Sequence, residues 1–297
     1  MTPDAHPAAT PTVPRRTAAH AWAETRGLIG RHTAPARDVD LTTSDGVRLR
    51  ATLLPGPVDH QGAGPAVVLL HGFAAHRRKP RYAWLADELA TRLTVLAPDL
   101  RGHGQSSGIS GLGADEHADV AACVQHLRDL GHPWVAVIGV SMGATSTGAA
   151  LHAGVAVDAA VIISGPGWID MEPTSPPMAR LNRIWKRRGG RLGLRAVVGV
   201  RIPDRNGWVA PVAPGEAARS LPRATLVVHG ADDAWFGLDH AQAVLDGHGA
   251  ATAWHEPVFG HAEDGFLDPF GRRLALALLT AYTSGTFPDR QDSLWPS

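Results

Sequence analysis

Apolar residues in this chain gather in short continuous runs separated by longer stretches of mixed character. Residues 66–70 (AVVLL), 93–97, 134–138, 159–163 and 225–229 are such runs, and 252–256, of mixed character, is read as a further strand. Runs of this length, rich in β-branched residues and bounded by turn residues, predict strands buried on both faces. The stretches between them carry apolar residues at helical spacing, which predicts helices over 82–92, 114–130, 144–151, 238–247 and 266–283. Residues 38–54 instead alternate apolar and polar positions around Ser44-Asp45-Gly46, the pattern of a hairpin. Strands alternating with helices imply a mostly parallel sheet covered by helices on both faces, an α/β fold.

One region breaks this rhythm. Between Gly165 and Pro222 no strand pattern occurs. A structureless loop of that length is improbable inside a compact domain, so the segment 166–222 is expected to be a helical insertion. Residues 178–194 suit one helix, with Met178, Leu181, Ile184, Trp185 and Leu192 near one face and Arg180, Arg183, Arg187 and Arg191 near another. The insertion leaves the sheet at the carboxyl end of a strand, the edge where α/β proteins place their sites, so a lid is expected. The core is then residues 36–165 and 223–297. Residues 1–35, rich in Ala, Pro and Thr, are expected to form a flexible tail.

The densest chemical signal is Gly139-Val140-Ser141-Met142-Gly143, which stands between a predicted strand and a predicted helix. A serine at such a reversal is forced into a tight backbone conformation, and side chains in place of the glycines would strike the neighbouring strand and helix. The hydroxyl then projects above the sheet beside a helix N-terminus, which favours negative charge. A serine hydroxyl is a weak nucleophile at neutral pH; it needs a base, and the base an orienting acid. Asp232 and Asp233 follow the strand 225–229, and His261 follows the strand 252–256. Both therefore fall at the edge where Ser141 is expected.

Composition narrows the field. The 297 residues have a formal net charge of +0, so charge gives no support for nucleic-acid binding. The one cysteine, Cys123, excludes an internal disulfide and is read as a buried small hydrophobe. No stretch approaches the roughly 20 apolar residues of a membrane span, and the first 35 residues lack the apolar core of a secretion signal. A soluble cytoplasmic protein with no membrane partner is expected. The polar residues of 99–106 are read as satisfying a tight loop. The basic clusters, His76-Arg77-Arg78-Lys79 and the arginines of the insertion, are read as solvated.

With these pieces in view, the chain resembles the serine hydrolases of the α/β-hydrolase superfamily. The resemblance rests on His71-Gly72-Phe73, the segment Asp99 to Ser106 (DLRGHGQS), the Gly-Val-Ser-Met-Gly turn, His229-Gly230-x-x-Asp233 and Gly260-His261. It implies an α/β-hydrolase fold with Ser141 as nucleophile, His261 as general base and acid, and Asp233 as the acid, with Asp232 its competitor. It also implies an oxyanion hole built from the backbone N–H groups of Phe73 and Met142. Trp168, Trp185, Trp208, Trp235 and Phe236 are candidates to line an apolar acyl pocket. The expected reaction is hydrolysis of a small-molecule carboxylic ester, or of a thioester or amide, through an acyl-enzyme, with no metal and no organic cofactor. Acyl transfer to another acceptor, C–C cleavage, lyase chemistry and a non-catalytic ligand-binding role are the alternatives on the same fold.

Overall fold

In the computed structural model, residues 29–57, 63–169, 173 and 175–289 are described. Most of the expected tail, residues 1–28, lies outside them. Eight strands form one sheet: β1 (Arg37–Thr42), β2 (Arg48–Leu54), β3 (Ala66–Leu70), β4 (Thr94–Pro98), β5 (Val135–Val140), β6 (Ala159–Ile163), β7 (Ala224–Gly230) and β8 (Thr252–Glu256). Their spatial order is β1-β2-β4-β3-β5-β6-β7-β8. β1 and β2 form the expected antiparallel hairpin, β2 runs antiparallel to β4, and the rest are parallel.

The alternation along β3 shows why its run is apolar throughout. Val67 and Leu69 face a layer built from α1 (Pro80–Ala90) and α8 (Phe270–Ser284), where Tyr82, Leu85, Leu89, Leu274 and Leu278 are buried. Ala66, Val68 and Leu70 face the opposite layer, formed by α2 (His117–Asp129), α3 (Met142–His152) and α7 (Leu238–His248). Burying both faces of a parallel sheet supplies the main driving force for the fold. Cys123 lies in this second layer, fully buried, and burial pushes its thiol pKa up.

From β3 the chain passes through α1 to β4 on one side, then crosses back through α2 to β5 on the other. The connections leaving the carboxyl ends of β3 and β5 therefore diverge at a topological switch point, the place where open α/β sheets form a crevice. The insertion between β6 and β7 stands over this crevice. It contains two helices, α4 (Pro176–Trp185) and α5 (Arg188–Val198), and a short α6 (Pro214–Ala217).

The single helix expected over 178–194 is therefore broken in two. Arg187 is extended, and Gly189-Gly190 lowers helix propensity just beyond it. A Cβ on Gly190 would lie only 2.1 Å from the Ile184 carbonyl oxygen, so the chain can fold back here only with glycine. Leu192, expected on the same face as Trp185, is 57% exposed, whereas Trp185 is buried.

The cluster at 76–79 also departs from its solvated reading. Arg77 is 3% exposed. Its guanidinium pairs with the Asp99 carboxylate and donates to Gln105 Oε1 at 2.8 Å and Thr52 Oγ1 at 2.9 Å. Burial alone would raise the Asp99 pKa, but the Arg77 charge and the Gln105 and Arg77 N–H groups hold it below the usual range. The loop 99–106 is thus organised by its own polar side chains, as its sequence suggested.

A second buried carboxylate lies at the N-cap of α2. Glu116 accepts from Ser110 Oγ at 2.6 Å and from the Gly113 N–H at 2.8 Å. Burial, aided by the Asp119 charge, pushes its pKa up to about 7 from a model-compound 4.5, despite those hydrogen bonds. The folded state therefore binds this proton more tightly than the unfolded chain. The stability it contributes is complete below pH 4.5 and is lost as pH rises through about 7, with a slope approaching about 1.4 kcal/mol per unit between them. Glu116→Gln is expected to remove that slope, so that its stability relative to wild type grows from pH 5 to pH 8. Urea midpoints across that range would test it; a difference independent of pH would contradict the assignment.

Candidate active site

Ser141 occupies the reversal between β5 and α3 with φ 52° and ψ −113°, a region disfavoured for non-glycine residues. Such a conformation costs on the order of 1–3 kcal/mol and persists only where the surroundings impose it. The surroundings here are close-packed. A Cβ on Gly139 would fall 2.5 Å from the Gly143 carbonyl oxygen, and one on Gly143 would fall 2.8 Å from the Leu70 carbonyl oxygen. The Ser141 N–H is held by the Ile163 carbonyl at 2.9 Å.

His261 follows β8 and reaches back across the sheet edge. Its Nε2 lies 2.9 Å from Ser141 Oγ. Its Nδ1 lies 2.8 Å from Asp233 Oδ2 and 3.0 Å from Oδ1. Asp233, rather than Asp232, makes this contact: the Asp233 side chain is buried, whereas Asp232 is exposed. Asp233 Oδ1 also accepts from the N–H groups of Trp235 at 2.8 Å and Phe236 at 3.0 Å. Burial would raise its pKa, but the hydrogen bond and charge of His261 and these two N–H groups keep it lowered, so the carboxylate stays ionised.

The two N–H groups expected to face an oxyanion are close by. Met142 begins α3, so its N–H has no intrahelical acceptor, and Phe73 follows β3 in the loop beside Ser141. Neither N–H has an acceptor among the described residues. Both side chains line the same cavity as Ser141 and His261.

That cavity has a volume of about 370 Å³. All five aromatic residues expected in the pocket line it. Trp235 stacks on the His261 ring at 5.3 Å between centroids, and Phe236 meets it edge-on at 5.4 Å. Trp168 stacks on His240 at 3.7 Å, and Trp185 meets Trp208 edge-on at 4.9 Å. The insertion supplies Met178, Leu181 and Trp185 from α4 and Ile202 and Trp208 from the segment beyond α5. That segment is tied to the core: the Arg201 N–H donates to the Gly102 carbonyl at 2.9 Å, and Trp208 Nε1 donates to the Gly111 carbonyl at 2.7 Å.

Two participants escaped the sequence reading. Leu112, with φ 56°, joins the cavity wall from a loop whose only signal was its glycines. Ser164, with φ 49°, accepts the Ala262 N–H at 3.0 Å and so steadies the residue following His261. Nothing in its local sequence marks that partner, which lies 98 residues away. Among the described residues, no group of three or more His, Cys, Asp or Glu side chains could hold a metal ion, and no helix is long and apolar enough to cross a membrane.

Comparison with known proteins agrees with this architecture. A family model described as alpha/beta hydrolase fold matches residues 65–192. The solved structure of the Pyrococcus furiosus esterase Pf2001 superposes with a TM-score of 0.63 at 22% identity, covering 84% of this chain and 95% of that one. The esterase RhEst1 from Rhodococcus sp. ECU1013 superposes with a TM-score of 0.59, also at 22% identity, covering 83% and 98%. A pimeloyl-[acyl-carrier protein] methyl ester esterase of Chromobacterium violaceum is 43% identical over 65 residues. That match spans 22% of this chain and only 25% of the relative.

If Asp233 fixes the imidazole, Asp233→Asn is expected to lower turnover of a cleavable ester by about 10³- to 10⁴-fold, as an orienting acid does elsewhere. Asp232→Asn is expected to leave it within about two-fold, since exposed polar positions rarely matter. Steady-state kinetics of the two variants would decide, and equal effects would contradict the assignment.

Proposed function

We propose that this chain, an α/β-hydrolase by fold, is a serine hydrolase that cleaves carboxylic esters with apolar acyl or aryl groups. The observation that carries the reading is the continuous hydrogen-bonded series from Ser141 Oγ through His261 to Asp233, at 2.9 and 2.8 Å. Ser141 attacks the ester carbonyl while His261 Nε2 takes its proton. The proton then passes to the departing alkoxide, leaving an acyl group on Ser141. Water, deprotonated by the same imidazole, attacks that acyl group and releases the acid. Asp233 holds the Nδ1–H tautomer and balances the imidazolium charge. The oxyanion formed in each half-reaction is received by the N–H groups of Phe73 and Met142, which need not move to meet it.

The substrate class follows from the cavity wall. Its aromatic and aliphatic lining favours burying an apolar acyl or aryl group, and the insertion closes over that group as a lid. The ester-cleaving names of the fold neighbours and of the Chromobacterium violaceum relative agree with this choice over thioester or amide.

Ser141→Ala is expected to keep the wild-type melting temperature and to lower kcat on p-nitrophenyl esters by at least about 10⁴-fold. Turnover near the wild-type level in the folded variant would overturn the reading.

A further inference from the structure

We propose that the first turn of α1 is a positioning element, in which Tyr82 holds Gly72, the residue that leads into the oxyanion peptide, and Arg81 holds the loop of the general base. The proposal rests on the hydrolase reading above and assigns residues outside the triad and the cavity.

The peptide linking Gly72 to Phe73 carries the Phe73 N–H on one side and the Gly72 carbonyl on the other. Its placement is critical, because a Cβ on Gly72 would lie 3.2 Å from the Ser141 Cβ. The Gly72 carbonyl accepts from His71 Nδ1 at 2.8 Å. His71 Nε2 accepts the Leu100 N–H at 3.0 Å, which leaves the single imidazole proton on Nδ1. The other side of Gly72 is held by α1: its N–H donates to the Tyr82 hydroxyl at 3.0 Å. Tyr82 is buried, with its ring edge-on to His71 at 6.4 Å and to Phe266 at 5.3 Å.

One residue earlier, Arg81 reaches the segment that follows His261, where the Tyr82 hydroxyl also meets the Glu263 carboxylate. Its Nη1 donates to the Glu263 carbonyl at 2.9 Å and the Asp264 carbonyl at 2.7 Å, two and three residues beyond His261. Lys79, just ahead of α1, pairs with the Glu263 carboxylate. A single helical turn thereby fixes the spacing between the oxyanion peptide and the imidazole. Neither Tyr82 nor Arg81 lines the cavity, so neither meets substrate. Their loss should act on transition-state alignment, where small displacements are costly, and leave ground-state binding alone.

The test is kinetic. In Tyr82→Phe, kcat for an ester that the wild type cleaves should fall about ten- to a hundred-fold with KM within about two-fold. The inhibition constant of a trifluoromethyl ketone, whose hemiketal oxyanion occupies the same donors, should rise by the factor that kcat/KM falls. Arg81→Ala, at an exposed side chain, should lower kcat about three- to ten-fold, and the double variant should lose less than the product of the two. A folded Tyr82→Phe with wild-type kcat and ketone affinity would overturn the proposal. If Tyr82→Phe does not fold, Arg81→Ala decides: a kcat equal to wild type would overturn it. A wild-type protein that cleaves no ester and takes no adduct at Ser141 would overturn the hydrolase reading, and this proposal with it. Activity in the wild type with unchanged variants would overturn only the positioning role.

Discussion

The left-handed backbone of Ser141 is the constraint from which the rest of the site follows. A non-glycine residue at φ 52° is held there by contacts on every side. Gly143 packs against the Leu70 carbonyl, Gly139 against the turn itself, and the Ser141 N–H is bound by β6. This packing brings the end of β3 against the turn. Phe73, just beyond β3, and Met142, just beyond Ser141, therefore line one cavity. The strain is the cost of presenting one hydroxyl clear of the sheet.

Around that point the sheet order does the remaining work. Because β3 and β5 are neighbours while their connections diverge, a crevice opens where Ser141 stands. β7 and β8 lie farther along the same edge, and their loops return Asp233 and His261 to it. Asp233 remains ionised in a buried position because it accepts from the imidazole and from two backbone N–H groups at once. An ion in such a setting is worth keeping only where every acceptor is used. Glu116, buried at the N-cap of α2 with its pKa pushed up to about 7, shows what burial does without a cationic partner.

Much of this was legible in the sequence because the signals were local. β3 and β6 match their apolar runs residue for residue, and the Ser141 turn follows from its two glycines. The positions of Asp233 and His261 came from the strands they follow, their roles from the family resemblance, and the contacts between them from the fold. What escaped was non-local. The break between α4 and α5 depends on a collision at Gly190 that no periodicity records. Arg77 read as solvated because its partner, Asp99, lies 22 residues away on another loop. Ser164 and Tyr82 look like an ordinary turn residue and an ordinary core aromatic until the loops they hold are placed beside them.

The most direct test of the account is covalent labelling of the folded protein with a fluorophosphonate, followed by peptide mass spectrometry. The account predicts one adduct per chain, on Ser141, forming rapidly in wild type and far more slowly in His261→Ala. An unlabelled Ser141 in a protein shown to be folded would contradict it, as would labelling whose rate does not depend on His261.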